Sequence, residues 1–124
     1  MKGITATPTF EGFVAMVQHV LTNARQQHWK TKNDAAHRAL GEFYDMASDS
    51  IDTLVEAYQG REGLIDVPEV SFRKESDPIM MIRTLRRYID ENRDMLCHYR
   101  EIQNLMDEFL AKIDKTLYRL ENLS

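Results

Sequence analysis

The chain has 124 residues, a hydrophobic content of 43% and a formal net charge of −4. This length predicts a single domain over residues 1–124, with enough apolar residues for a core that needs no disulfide or metal support. No apolar run approaches the roughly 20 residues of a membrane-spanning helix, and the negative charge disfavours nucleic-acid binding by the surface as a whole.

Two further features predict a cytoplasmic protein. Residues 1–9 lack the apolar segment of a secretory signal. Cys97 is the only cysteine, so these residues offer it no disulfide partner, which suits a reducing compartment. We expect Cys97 to be a buried thiol without a chemical role.

The first predicted helix has Thr7 as its N-cap and Pro8 in its first turn. It runs to about His28, and the polar segment 30–33 then predicts a short corner. Its apolar residues recur at intervals of three and four, as expected for an amphipathic helix, and comprise Phe10, Phe13, Val14, Val17, Val20, Leu21 and Ala24.

The second predicted helix begins with Asn33 or Asp34 as its N-cap and stops at Gly60. The following segment, 60–76, shows no sustained period and contains two glycines and Pro68. It predicts a long connection with an extended stretch at 67–72. The apolar face of the second helix comprises Leu40, Phe43, Tyr44, Ala47, Ile51, Leu54, Val55 and Tyr58.

The third predicted helix opens at Ser76 or Asp77, with Pro78 at its first helical position. A break near residues 97–99 separates it from the fourth helix. The apolar positions are Ile79, Ile82, Leu85 and Ile89 in the third helix and Ile102, Leu105, Met106, Phe109, Ile113, Leu117 and Leu120 in the fourth.

The connection lengths predict the topology of this all-α chain. A helix of about 25 residues is roughly 37 Å long, and about 16 residues of extended chain can cross that length. Short, long and short connections therefore favour a ferritin-like four-helix bundle with a long crossover between helices two and three. The alternative is a simple up-down bundle with a loose loop.

Four residues are candidate metal ligands. His28 and His37 flank the first corner, and Asp52 and Glu56 share one face of the second helix. Each pair alone is equally consistent with ordinary surface residues. Fifteen residues of helix place Asp52 about 22 Å from His37, so one metal can contact both pairs only across the two-fold axis of a dimer.

The segment from His28 to Glu56 resembles the Dps family of mini-ferritins. The family motif has His-Trp at the end of the first helix, here His28-Trp29, and then a histidine followed by acidic residues fifteen and nineteen positions later, here His37, Asp52 and Glu56. The C-terminal run 113–121 also resembles the family's last helix.

The resemblance implies an iron-binding protein that oxidises ferrous iron with oxygen or peroxide. His28 and His37 of one subunit would then face Asp52 and Glu56 of its partner, and the two-fold dimers would assemble into a shell of twelve subunits. No further catalytic group is implied.

The chain departs from the family at three points. Gly41 stands where the family has an aspartate, which removes a carboxylate that iron prefers. Glu42 and Asp45 either replace this ligand or are solvated surface residues. The corner before His37 is three residues shorter than in the family, which predicts a displaced His28. The Lys-rich tail that binds DNA in some members is absent, so DNA binding is not expected.

The departures keep a second function open, a non-catalytic ferritin-like oligomer that serves as a scaffold or binds a partner after losing its metal. Trp29 is then interface packing, whereas in an oxidising site it would scavenge radicals. A third class is nucleic-acid binding by a small patch on helix three. Mixed charge there instead favours a solvated face; the residues are Arg83, Arg86, Arg87, Asp90, Glu91 and Asp94.

Overall fold

The computed structural model describes residues 7–123. They form four α-helices and contain no strand: α1 (Phe10–Lys30), α2 (Asp34–Glu62), α3 (Pro78–Leu96) and α4 (Arg100–Asn122). The predicted all-α class and the four predicted helices are confirmed. None of the described helices is both long enough and apolar enough to span a membrane.

The helices pack as a bundle in which α1 and α4 each lie between α2 and α3. Every neighbouring pair is antiparallel. Phe10 at the start of α1 stacks on Tyr58 near the end of α2, with ring centroids 3.9 Å apart. Arg61 near the end of α2 pairs with Glu101 at the start of α4, and Arg93 near the end of α3 pairs with Asp107 in the first half of α4.

The core lies along the bundle axis and contains the apolar faces predicted for all four helices, except for Tyr44, which is partly exposed outside it. Its largest fully buried side chains come from every helix, which ties the bundle together by apolar burial. They are Phe10, Phe13, Met16, Leu40, Phe43, Leu54, Ile82, Leu85, Ile89, Ile102, Met106 and Phe109.

Two predicted helix ends are wrong. The N-cap of α1 is Thr9, whose hydroxyl accepts a hydrogen bond from the Gly12 amide, so Thr7 and Pro8 precede the helix. Helix α2 continues past Gly60 to Glu62 and ends at its C-cap Gly63, whose φ of +92° is readily adopted only by glycine.

The other predicted ends are confirmed. Asn33 caps α2 and Asp77 caps α3, with Pro78 directly after the cap. The chain turns between α3 and α4 at residues 97–99. Cys97 is buried there, as predicted.

The connection 63–77 carries no helix or strand, and its second half is held against α1. His19 donates to the Arg73 carbonyl over 3.1 Å, and its ring stacks on Phe72. The side-chain amides of Asn23 and Gln27 both donate to the Glu75 carbonyl, at 3.0 and 2.8 Å. These bonds fix the path of the chain into α3.

Candidate functional site

His28 and His37 form a reciprocal pair at the first corner. The Nδ1 of each ring lies 2.7 Å from the backbone carbonyl oxygen of the other residue. The rings are stacked, with centroids 3.9 Å apart and planes inclined by 14°. Because a carbonyl oxygen only accepts, each Nδ1 must donate, and the Nε2 of each neutral ring keeps its lone pair. Donation to a carbonyl is the usual way in which a protein orients a metal-binding histidine.

The corner itself brings the two histidines together. His28 lies in the last turn of α1, and His37 lies in the first turn of α2. Three non-helical residues, 31–33, connect the two helices. The Asn33 side chain caps α2 by accepting from the Ala36 amide over 2.8 Å. The short corner places the two rings in contact.

Gly41 lies against the His28 ring. A Cβ added at position 41 would be 2.9 Å from His28 Cε1 and 3.2 Å from His28 Nδ1. Contacts that short require the ring to move, so the glycine gives the ring its space. The close approach of a neighbour accounts for Gly41, and an aspartate could not occupy this position with His28 where it is.

The histidine pair borders an open cleft of about 430 Å³ between α1 and α2. The Arg25 guanidinium lies between two aromatic rings of this cleft, 5.6 Å from the Trp29 centroid and 4.7 Å from that of Tyr44. The sequence did not indicate Arg25 as a site residue, and it predicted Tyr44 on the apolar face of α2 rather than in this cleft. The four-residue spacing of Arg25 and Trp29 on α1 is the signal that could have indicated Arg25.

The two acidic residues considered as replacement ligands differ. Glu42 forms an ion pair with Arg119 of α4 and is therefore engaged in holding the bundle. Asp45 is exposed, lines the cleft and has no ion-pair partner among residues 7–123. Of the two, Asp45 is therefore the better candidate to replace the missing carboxylate ligand.

Asp52 and Glu56 lie farther along α2. The helical rise places Asp52 about 22 Å from His37. Both are exposed, and neither has an ion-pair partner in the part of the chain that the structure describes. Within residues 7–123, no three His, Cys, Asp or Glu side chains lie close enough to hold a metal ion together. The structure does not bring the histidine pair and the carboxylate pair together within one subunit.

The stacked rings also limit how a metal could bind. An imidazole lone pair lies in the plane of its ring, and a metal binds along it at about 2.1 Å. Two nearly parallel planes do not meet at that distance, so His28 and His37 cannot both bind one ion in this conformation. Each Nε2 is suited to a separate ion, or one ring binds and the other supports it.

The arginines of α3 are largely paired. Arg83 contacts Glu121, and Arg86 contacts Asp114 at 2.5 Å and Asp90 at 3.7 Å. The mixed-charge interpretation of this face is supported, although most partners come from α4 rather than from α3. Paired cations neutralise few phosphates, so this face offers little to nucleic acid.

A protein family described as a family of unknown function, DUF5856, matches residues 28–120. The matched segment begins at His28 and contains His37, Gly41, Asp52 and Glu56. No curated protein and no solved structure matches the chain.

Proposed function

The chain belongs to DUF5856, a family of unknown function, and we propose that it is a mini-ferritin-like protein that binds and oxidises ferrous iron at a site shared by two subunits. The observation that carries this proposal is the reciprocal histidine pair. Both Nδ1 atoms donate to carbonyls, so both Nε2 atoms hold a lone pair ready for a metal.

A ferritin-like topology is part of the proposal. All neighbouring helices are antiparallel, and α1 contacts both α2 and α3, so α2 and α3 run in the same direction. The connection 63–77 then crosses the length of the bundle, and its bonds to α1 from Arg73 and Glu75 support that path. A loose loop in an up-down bundle would not carry these bonds.

The shared site follows from the two free carboxylates. Asp52 and Glu56 are exposed on α2, and a two-fold axis across α1 and α2 would bring them to the histidines of a second copy. One imidazole and two carboxylates form a donor set that suits ferrous iron. Iron is the substrate here, and each ferrous ion gives one electron. Two ferrous ions and two protons from water together reduce one dioxygen to hydrogen peroxide, or one hydrogen peroxide to two water molecules. We extend the proposal to a two-fold dimer as the minimal unit, with a shell of twelve subunits as the larger assembly.

Anaerobic titration with ferrous iron, followed by oxidation in air and read optically, tests the site. The quadruple variant His28→Ala/His37→Ala/Asp52→Ala/Glu56→Ala is expected to lose both binding and oxidation. The matched control, Asp66→Ala/Glu69→Ala, removes two exposed carboxylates from the connection and should bind as the unmodified protein does. Unchanged iron binding by the quadruple variant would refute the proposed site.

Mixing two variants tests whether subunits share the site. His28→Ala/His37→Ala and Asp52→Ala/Glu56→Ala should each be inactive alone. Refolded together in equal amounts they form random dimers, of which half are mixed and keep one intact site out of two. About a quarter of the iron oxidation should return for an isologous dimer. No return of activity, with dimers present by light scattering, would exclude a shared site.

A non-catalytic ferritin-like scaffold is the second candidate, favoured by Gly41 and the stacked rings. The ring of His28 fills the space beside Gly41, and the two rings cannot bind one ion together. An assembled protein that neither binds nor oxidises iron in the titration would support this function. Stoichiometric iron would exclude it.

A further inference from the structure

A second cavity lies on the opposite side of α1 from the histidine pair's cleft, and it is independent of the iron proposal. Its volume is about 550 Å³, within the range of small-molecule sites. It is enclosed by α1, by the end of the connection 63–77 and by α3. Nine residues line it: Met16, His19, Val20, Asn23, Arg73, Lys74, Glu75, Met81 and Thr84.

The floor of this cavity is apolar. Met16, Val20 and Met81 line it as members of the buried core, with exposed fractions of 1%, 3% and 4%. A hydrocarbon group placed there would leave water for an apolar wall, which is favourable in proportion to the area covered.

Asn23 supplies an unused hydrogen-bond acceptor. The residue is only 2% exposed, and its amide NH₂ is fixed on the Glu75 carbonyl. Its Oδ1 is buried and has no partner among the described residues. A buried oxygen without a hydrogen-bond partner is unfavourable, so a ligand that donates to it gains free energy.

His19 supplies a second acceptor one helical turn before Asn23. Its Nε2 donates to the Arg73 carbonyl, which leaves Nδ1 of the neutral ring as an acceptor. The Glu75 carboxylate, which accepts from the Ser76 amide over 2.9 Å, adds negative charge at the same wall. This wall therefore favours a donor, and a cationic donor most of all.

Arg73 and Lys74 supply the opposite charge. Both are exposed at the cavity, and neither has an ion-pair partner in residues 7–123. Both residues lie next to the His19 and Asn23 acceptors. His19 is hydrogen-bonded to the Arg73 carbonyl, and Asn23 is hydrogen-bonded to the Glu75 carbonyl. A matching ligand therefore carries an anionic group for Arg73 and Lys74, and a hydrogen-bond donor close to it for Asn23 and His19.

We propose that this cavity binds a free apolar α-amino acid. Its ammonium group lies against the Asn23 and His19 acceptors, its carboxylate contacts Arg73 and Lys74, and its side chain covers Met16, Val20 and Met81. An α-hydroxy acid shares part of this chemistry but lacks the positive charge that the Glu75 wall attracts.

Amide chemical shifts of the ¹⁵N-labelled protein, titrated with single compounds, test the proposal. L-Leucine, L-methionine and L-phenylalanine probe the apolar class, and at least one should give saturable shifts in residues 16–23 and 73–84. For leucine as the binder, 4-methylpentanoate lacks the ammonium group, leucinamide lacks the carboxylate and 2-hydroxy-4-methylpentanoate exchanges the ammonium for a hydroxyl. Each should bind about tenfold more weakly or worse, as the loss of a charge-assisted hydrogen bond predicts.

Two charge variants make the test specific. Arg73→Ala/Lys74→Ala should weaken binding of the amino acid by about tenfold or more. Arg87→Ala/Lys115→Ala removes the same charge from exposed positions that do not line the cavity, and it should bind as the unmodified protein does. No saturable shift with any of the three amino acids would overturn the proposal. Equal binding by the two variants, or tightest binding of the hydroxy acid, would overturn it as well.

Discussion

The corner at residues 31–33 and the corner at residues 97–99 each reverse the chain within three residues. At the second corner, the Tyr99 side chain makes no capping bond to α4, and the Gln103 side chain binds the carbonyl groups at the end of α3. Its amide donates to the Arg93 and Cys97 carbonyls, and its oxygen accepts from the Arg93 guanidinium. Arg93 in turn pairs with Asp107.

The first corner uses its polar groups differently. Nδ1 of each histidine ring donates a hydrogen bond to the other residue's carbonyl, and Nε2 of each ring makes no hydrogen bond in the described chain. At the second corner the side-chain amide of Gln103 is used at both ends, on bonds that hold the chain together. The first corner is the candidate for metal binding because its histidines keep nitrogen atoms with a free lone pair. The Gln103 side chain at the second corner has no such free atom and serves stability.

Removing the Gln103 side chain should produce the largest loss of stability. Gln103→Ala removes the side-chain amide that bonds the Arg93 and Cys97 carbonyls and the oxygen that accepts from Arg93 Nε, in a partly buried setting. We expect the free energy of unfolding to fall by roughly 2–3 kcal/mol, and urea unfolding followed by circular dichroism measures it.

Gln18→Ala is the matched control, because Gln18 is exposed on α1 and its side chain makes no hydrogen bond in the described chain. That substitution should change the unfolding free energy by less than about 0.5 kcal/mol. Equal effects of the two substitutions would show that the second corner does not depend on the Gln103 bonds.

Gly41 and Gly60 together measure the packing of the first corner. Both lie within α2, where alanine is favoured over glycine by up to about 1 kcal/mol. A Cβ at position 60 meets no atom within 4 Å, whereas one at position 41 meets the His28 ring. Gly60→Ala should therefore stabilise the protein, and Gly41→Ala should leave it about 1–3 kcal/mol less stable than Gly60→Ala does.

The same pair of substitutions in a His28→Ala background isolates the cause. Without the ring, Gly41→Ala should become stabilising and match Gly60→Ala, so the coupling between positions 28 and 41 is the quantity to measure. If Gly41→Ala stabilises the unmodified protein as much as Gly60→Ala does, the His28 ring moves aside without loss of stability. The inferred tight packing between positions 28 and 41 would then be wrong.

The helices were predictable from sequence because their apolar residues recur with the helical period, and because Asn33, Asp77 and Pro78 are strong local signals. Ends that depend on backbone conformation were not. Gly60 and Gly63 look alike in the sequence, but only Gly63 takes a positive φ and ends α2.

The sequence indicated the candidate ligands as a set of residues, but it could not indicate their arrangement. Spacing placed His28 and His37 near one corner and showed that Asp52 lies too far along α2 to join them. It could not show that the rings stack or that each binds the other's carbonyl, because those contacts depend on the corner geometry. Gly41 was interpreted from the sequence chiefly as a missing ligand, and its packing against His28 emerges only in three dimensions.

Cys97 provides the smallest and most specific test of the second corner. Burial raises the pKa of this thiol above its ordinary value of 9.0, and the negative charge of Glu62 acts in the same direction. The folded protein then keeps the proton at a pH where the unfolded chain has begun to lose it. The stability that this provides is present in full below about pH 9 and is lost as the pH rises through the folded pKa.

Urea unfolding at a series of pH values from 8 to 11 should therefore show stability falling from about pH 9. Cys97→Ala is expected to lower stability throughout but to delay the alkaline decline. The remaining decline then comes from groups such as the partly buried Tyr88, whose pKa burial raises from an ordinary value of 10.0. A decline that begins at the same pH in both proteins would mean that the Cys97 thiol is already open to water, and that the second corner is less closed than its hydrogen bonds indicate.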